Sequence, residues 1–152
     1  MSASASYLEQ ADPDAARDQI DWTPEFSRRA RGFPIYAAIR ALGQEGIAAM
    51  IERCCDHATR FAELLGTEPG VEILNDVVLN QVLVRFGDDD QVTRATVAAV
   101  QDDGTCWLSG TVWQGEAAMR ISVSSWRTSD EDVERSGAAI LEAAAAVSSS
   151  LR

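Results

Sequence analysis

Hydrophobic residues recur every three or four positions in three stretches of the chain, which is the spacing of a helix with one apolar face. The first stretch covers residues 44–65. The second follows the acidic run 88–90 and ends near Asp103. The third begins at Ser129, whose hydroxyl can cap a helix while Asp132 returns the bond. Each stretch therefore predicts an amphipathic helix that covers a hydrophobic surface.

A fourth helix is predicted ahead of these, on local signals rather than on periodicity. Thr23 suits the helix cap and Pro24 suits the first helical position, so we expect a helix from there to about Leu42. Gly43 is expected to end it. Residues 1–22 are small and polar and predict an extended lead-in. The chain is therefore expected to divide into residues 1–43, a lead-in and a helix, and residues 44–152, a small domain.

Two pairs of strands are predicted between the helices, because β-branched residues and alternation concentrate there. The first pair is residues 71–74 and 79–86. The second pair, residues 106–113 and 118–125, flanks Gln114-Gly115-Glu116, which suits a hairpin. This order of elements leaves too few crossovers for a doubly wound parallel sheet. We therefore expect an α+β fold, with helices on one face of a small antiparallel sheet.

Charge narrows the range of partners. Acidic residues outnumber basic ones by 24 to 13, which gives a formal net charge of −11. The average surface field therefore repels phosphate backbones and anionic lipid headgroups, which argues against nucleic acid and membranes as partners. One basic run, Arg28, Arg29 and Arg31, interrupts this field. It predicts either a solvated face or a contact to another domain or subunit.

Cysteine content and the length of apolar runs bear on location. Cys54, Cys55 and Cys106 have neither an even count nor the spacing of a metal site, so no metal is expected and a reducing compartment fits best. The first residues lack the basic start and apolar stretch of a signal peptide, and nowhere do about 20 apolar residues run together. We therefore expect a cytoplasmic protein.

The sequence lacks the familiar motifs of a stand-alone enzyme, such as GxGxxG, a phosphate-binding loop or a G-x-S-x-G elbow. His57, the single histidine, has no acidic or sulfur partner suggested by its spacing, which favours a structural or surface role. Glu72, Asp76 and Glu116 could act as general acid or base. Charges solvated at strand ends are the simpler explanation for these three.

The last strand pair carries two further candidates. Trp107, Trp113 and Trp126 cluster around it and suit either a binding surface or ordinary packing. Arg120 stands out because an arginine in an alternating strand is costly if it points unpaired into a core. It is therefore expected either to pair with an internal carboxylate or to bind one from outside.

Several segments, taken together, resemble the group II pyridoxal-phosphate-dependent decarboxylases, a family that includes the aromatic-amino-acid, glutamate and diaminobutyrate enzymes. The first segment is residues 27–43, which contain Arg-Gly-Phe-Pro-Ile-Tyr, followed by Gly46. Residues 71–74 and 80–86 are similar to that family's strand pair. Residues 120–128 are similar to its last strand and turn, and residues 130–133 are similar to the start of its terminal helix. The resemblance runs from about Asp21 to Leu141 and covers only the C-terminal third of the family.

The resemblance implies a fold type I homodimer whose active site lies between a large cofactor domain and a small C-terminal domain, with contributions from both subunits. It implies pyridoxal phosphate as the cofactor and removal of the α-carboxylate of an L-amino acid as the reaction. Arg120 is similar to an arginine of that family that contacts the substrate carboxylate, and the basic run Arg28, Arg29 and Arg31 is a candidate contact to the cofactor domain or the second subunit.

The sequence departs from that family in one respect. The His-Lys pair to which the family attaches its cofactor has no counterpart, and all 13 basic residues of this chain are arginine. We therefore expect no catalytic or cofactor-binding residue here. The expectation is the C-terminal part of a larger enzyme, inactive alone and joined through residues 1–43 to a cofactor domain outside the sequence.

A second interpretation needs no chemistry at all. The chain could be a non-enzymatic interaction or dimerisation module, in which the surfaces expected to meet the cofactor domain meet another protein or a second copy instead. Exposed apolar area is expected under both interpretations, because large apolar patches mark interaction surfaces.

Overall fold

The computed structural model describes residues 29–150, which fall into two units that divide between Gly43 and Gln44. The helical run α1, Gly32–Gly66, crosses this division. At Gly43 the backbone is not helical, with φ 64° and ψ −174°, a conformation that glycine adopts without the steric cost of a Cβ. The predicted end of the first helix at Gly43 is therefore confirmed.

The start of that helix differs from the sequence prediction. Residues 29–31 are not helical, and α1 begins at Gly32. Pro34 then falls in the first turn, where its missing N–H costs nothing, whereas in a longer helix its ring would clash with the Ala30 carbonyl. The predicted helix from Thr23 is wrong over residues 29–31. Its first residues, like the predicted lead-in, lie outside the described part of the chain.

Four antiparallel strands form one sheet in the second unit: β1 Val71–Ile73, β2 Gln81–Phe86, β3 Ser109–Trp113 and β4 Glu116–Ser122. Their order across the sheet is β1-β2-β4-β3, so the two predicted pairs are confirmed and are joined through β2 and β4. Between β3 and β4, Gln114 and Gly115 have φ values of 50° and 93°, and two positive φ values in succession are typical of a two-residue hairpin turn.

The helices α2, Asp90–Asp103, and α3, Asp130–Ser150, begin with the caps that the sequence predicts. The Asp89 carboxylate accepts a hydrogen bond from the N–H of Gln91 at 2.8 Å. At α3, Ser129 Oγ accepts from the Asp132 N–H at 3.2 Å, and the Asp132 carboxylate accepts from the Ser129 N–H at 3.0 Å. This reciprocal pair is the predicted capping box, and it fixes the residue at which α3 starts.

The hydrophobic core lies between the helices and one face of the sheet. Its largest fully buried side chains come from both layers: Phe86 and Met119 from strands, Leu65 and Ile140 from helices. Burying each such side chain contributes about 1.5–3 kcal/mol, so this shared layer is what holds helices and sheet together. The expected α+β class, with helices on one face of an antiparallel sheet, is confirmed.

Within residues 29–150, no helix combines the length and the hydropathy that crossing a bilayer requires. The same residues contain no group of three or more side chains placed to hold a metal ion. Cys54, Cys55 and Cys106 are free thiols.

Candidate functional site

The face of the sheet opposite the core, called the open face here, carries the candidate site. Side chains alternate between the two faces along a strand, and residues paired across an antiparallel ladder share a face. Val82, Val84, Met119 and Ile121 belong to the core, so the residues between and beside them on β2 and β4 point the other way. With their partners on β1 and β3, they form the open face: Glu72, Gln81, Leu83, Arg85, Glu116, Ala118, Arg120, Ser122, Ser109, Thr111 and Trp113.

Arg120 occupies the middle of this face, between Leu83 on β2 and Ser109 on β3. Its side chain is exposed, and Nη2 donates to Ser109 Oγ at 3.3 Å. It takes part in none of the ion pairs found among residues 29–150. Its neighbours along the same face of β4, Ala118 and Ser122, are uncharged. Because a guanidinium has five N–H donors, most of them remain available to a carboxylate from outside.

Arg85, the second arginine of the open face, is in the opposite situation. It is only 8% exposed. Its guanidinium lies 3.0 Å from Asp90 Oδ1 and 3.4 Å from Glu116 Oε2, and it donates to the Asp88 carbonyl at 2.8 Å. Asp90 also accepts the Ala117 N–H at 3.0 Å, and this bond, together with the Arg85 charge, lowers the pKa of the Asp90 carboxyl. Arg85 is therefore committed to its own chain and ties the start of α2 to the sheet.

The three carboxylates considered as general acids or bases have ordinary surroundings. Glu116 is ion-paired with Arg85, and Glu72 lies opposite Arg85 in the register of β1 and β2. Asp76 is exposed in the loop that follows β1. Their neighbours are a cation and solvent, so these contacts favour ion-paired or solvated charges over an acid–base pair.

His57 has an acidic partner that the sequence spacing did not reveal. Its ring is 5% exposed, and Nε2 lies 3.0 Å from Oδ1 of Asp130, the first residue of α3. Close to it in sequence, Arg60 forms an ion pair with Glu134 at 2.7 Å. Both pairs join α1 to α3 in the helical layer, away from the open face. Of the two roles expected of His57, structural or surface, its burial favours the structural one.

The described residues of the basic run and the tryptophans Trp107, Trp113 and Trp126 lie at the surface. Arg29 and Arg31 are exposed, and Arg28 lies outside the described residues. Three of the tryptophans are also exposed: Trp107, Trp113 and Trp126. Rings that pack in a core are buried, whereas these three are exposed. Their exposure therefore favours a binding surface over ordinary packing.

Pyridoxal phosphate, which the resemblance implies, does not fit the residues of this chain. The sequence contains no lysine, because all 13 basic residues are arginine. A guanidinium stays protonated at any ordinary pH and cannot replace an amine as the point of covalent attachment. The open face offers an arginine for an anion but no residue that could hold this cofactor covalently.

The sequence matches the family described as "Pyridoxal-dependent decarboxylase conserved domain" over residues 1–86. It is 28% identical over 144 residues to histidine decarboxylase of Mus musculus, a match that covers 95% of this chain and 22% of that protein. It is 25% identical over 142 residues to tyrosine decarboxylase 2 of Arabidopsis thaliana, covering 88% of this chain and 26% of that protein. The chain thus spans 22–26% of the length of these relatives.

Solved structures share the fold. Tryptophan decarboxylase of Catharanthus roseus superposes with a TM-score of 0.73 at 19% identity, over 83% of this chain and 28% of that one. The 4-hydroxyphenylacetaldehyde synthase of Rhodiola rosea gives 0.74 at 24% identity, over 86% of this chain and 29% of that one. The helices and the four-stranded sheet match the C-terminal part of the decarboxylase structures.

Proposed function

We propose that this chain is the C-terminal part of an enzyme that removes the α-carboxylate of an L-amino acid. The proposal starts from the finding that the chain belongs to the pyridoxal-dependent decarboxylase family. Two relatives that match most of this chain's length are a histidine decarboxylase and a tyrosine decarboxylase. The role proposed for this part is to supply an arginine for the substrate carboxylate and a surface for the rest of the enzyme.

The observation that carries this proposal is the uncommitted guanidinium of Arg120. Its neighbours across the sheet, Leu83 and Ser109, are uncharged, so no acid of the open face competes with an incoming carboxylate at this point. A guanidinium fork matches a carboxylate through two parallel hydrogen bonds and can fix its orientation. The negative charge of that carboxylate is lost as CO₂ forms, so a very tight grip would stabilise the ground state. Arg120 is therefore proposed to orient the substrate.

The cofactor is proposed to be pyridoxal phosphate, held by a lysine-containing segment outside these residues. The first helical residues of α1 support docking of such a segment, because five large hydrophobic side chains there are 45–76% exposed: Phe33, Ile35, Tyr36, Ile39 and Leu42. Exposed apolar groups in succession mark interaction surfaces. We propose that this surface and the basic run Arg28, Arg29 and Arg31 contact the cofactor segment, within a homodimer.

A cytoplasmic location is proposed from the state of the cysteines. The thiols Cys54, Cys55 and Cys106 are free, and reducing compartments preserve free thiols. The net charge of −11 also disfavours binding to nucleic acids or to anionic membranes, which leaves an amino acid and the partner segment as the proposed ligands.

The test of this proposal is reconstitution. The source genome should encode a lysine-containing cofactor segment of this family, either in the same reading frame as this chain or in a separate gene. Together the two parts should release labelled CO₂ from one of a panel of L-amino acids: histidine, tyrosine, tryptophan, glutamate and 2,4-diaminobutyrate. This chain alone should release none. Activity of the chain alone, or a cofactor-loaded pair that decarboxylates nothing in the panel, would contradict the proposal.

The exposed apolar surface of α1 also favours a second candidate, a non-enzymatic interaction or dimerisation module. Light scattering after size-exclusion chromatography separates the two candidates. A module should self-associate without the cofactor segment, and Ile39→Asp should yield a folded monomer because it places a charge in the apolar contact. If the cofactor segment fails to bind while the self-associated form persists, the module is the better description.

A further inference from the structure

A cleft of about 320 Å³ lies where the connection from α2 to β3 meets the end of β4 and the first turns of α3. We call it the α3 cleft. Its floor is apolar and is formed by the nearly buried Phe61, Leu108, Ile121, Val123 and Ile140. The ring of Trp107, 80% exposed, also lines the cleft. Its rim is polar and includes Ser122, Ser125, Thr128, Ser136, Arg127 and Arg135. Ser122 of the open face is among the lining residues but Arg120 is not, so the cleft borders the open face without including the arginine proposed above.

The rim carries more positive than negative charge. Arg127 takes part in none of the ion pairs of residues 29–150, and its guanidinium carbon lies 5.9 Å from the centre of the Trp126 ring. Arg135 is paired with Asp132, whose carboxylate also accepts the Ser129 hydroxyl at 2.8 Å and the Ser129 N–H at 3.0 Å. The lining therefore contains two guanidinium groups and one carboxylate that already has three donors.

We propose that the α3 cleft binds a small organic carboxylate, with the apolar body of the ligand on the floor and its carboxylate at Arg127 and Arg135. Arg127 has all of its side-chain donors free of acidic partners, and Arg135 keeps most of its five N–H donors after the bond to Asp132. Five hydroxyl side chains also line the cleft and supply further donors: Thr105, Ser122, Ser125, Thr128 and Ser136. The overall charge of −11 repels anions at long range, so binding has to come from these local groups.

The size of the cleft narrows the ligand. Pockets for small molecules typically span about 300–1,000 Å³ and combine a mostly apolar lining with a few convergent polar groups. The α3 cleft lies at the lower end of this size range, and its lining is about equally polar and apolar. It suits a body of about one ring or a short branched chain. An inorganic anion would leave the apolar floor uncovered, which favours an organic acid.

Phenylacetate is a suitable probe, and nuclear magnetic resonance of the isotopically labelled full chain reports where it binds. Saturable shifts are expected in the amides of residues 105–108 and 122–136. Phenylacetamide has the same ring without the charge, and acetate has the charge without the ring. Each should bind about tenfold or more weakly than phenylacetate, because each lacks one of the two contacts.

Variants then identify the groups that hold the probe. Arg127→Gln should weaken phenylacetate binding about tenfold or more, and Arg127→Lys should lose less because it keeps the charge but not the fork. Arg120→Gln should leave phenylacetate binding unchanged, so this inference and the proposed decarboxylase role can fail separately. The amide spectra of the variants report whether each is folded, and the lysine variant provides the comparison if the glutamine variant is not.

Three outcomes would overturn the inference. The first is the absence of saturable shifts in the cleft residues. The second is equal binding of phenylacetate and phenylacetamide. The third is a loss of binding in Arg120→Gln with none in Arg127→Gln, which would place the anion on the open face instead.

Discussion

Met119 and Arg120 are neighbours on β4, yet they belong to surfaces with different tasks. Met119 is fully buried against the helices, whereas Arg120 is exposed on the open face and donates to the Ser109 hydroxyl. Because the strand period is two residues, a shift of register by one position would exchange the two side chains. The hydrophobic residues of β4 therefore determine that Arg120 points to the open face. On this strand Met119 contributes to stability, and its neighbour Arg120 is left available for binding.

The two arginines of the open face extend this comparison. Arg85 is buried and surrounded by acceptors of its own chain, including Asp90 and Glu116, while Arg120 is exposed and has a serine hydroxyl as its partner. A buried cation requires such partners, because an unpaired charge away from water is very costly. An exposed cation does not require them. The same residue type on one face is therefore structural at one position and available for binding at the other.

The largest expected effect comes from exchanging the two neighbours on β4 for alanine. Met119→Ala should lower the free energy of unfolding by about 2–5 kcal/mol, because it leaves a cavity in the core. Arg120→Ala should change it by less than about 0.5 kcal/mol, because the side chain is exposed. Urea unfolding followed by circular dichroism measures both. Equal losses would mean that the two faces do not differ in the way described.

A smaller effect is expected from the two arginines. Arg85→Ala should cost about 2 kcal/mol of unfolding free energy, since it removes several charge-assisted hydrogen bonds and leaves the Asp88 carbonyl without this donor. The matched control is Arg120→Ala, which removes the same side chain from the same face. If Arg120→Ala destabilises as much as Arg85→Ala, Arg120 has a structural role and the proposed division between them is wrong.

The smallest effect concerns pH. The pKa of Asp90 is lowered by the Ala117 N–H and by Arg85, so its contribution to stability is complete above the ordinary carboxyl pKa of about 4 and is lost as the pH falls through the lowered value. Asp90→Asn should therefore be less stable than wild type at neutral pH, with a difference that shrinks in acid. Asp76→Asn, in an exposed loop, is the control. Urea midpoints across the acid range measure the stability difference between wild type and Asp90→Asn. A difference that stays constant with pH would contradict the lowered pKa of Asp90.

Local signals in the sequence predicted much of the fold. Ser129 and Asp132 are three residues apart and form the expected capping box, and Gly43 breaks α1 where the sequence predicts. Pro24 was less informative for the described part, because α1 begins at Gly32 with Pro34 in its first turn. Such signals act over a few residues and are visible in sequence. Pro34 has the same preference for a first turn as Pro24, so these local signals did not locate the start of α1.

Contacts between distant residues could not be predicted. Asp130 is 73 residues from His57, and the acids around Arg85 come from two different elements. Nothing in the spacing of these residues indicates that they meet, since the sheet order and the helix packing bring them together. Arg120 was singled out because a charge within an alternating strand is conspicuous, and its exposed position follows from that alternation. Its role toward a substrate stays a prediction.

The most direct test of the central claim is the Michaelis constant of the assembled enzyme, this chain together with its cofactor segment, carrying Arg120→Gln. The constant for the amino-acid substrate should rise and the rate should fall, so that kcat/KM drops about 10–100-fold with cofactor binding retained, because the lost charge-assisted pair both holds and orients the carboxylate. Arg60→Gln, which removes an exposed guanidinium from the helical layer, should leave the constant near its original value. An Arg120→Gln enzyme with the wild-type Michaelis constant and rate would contradict the account.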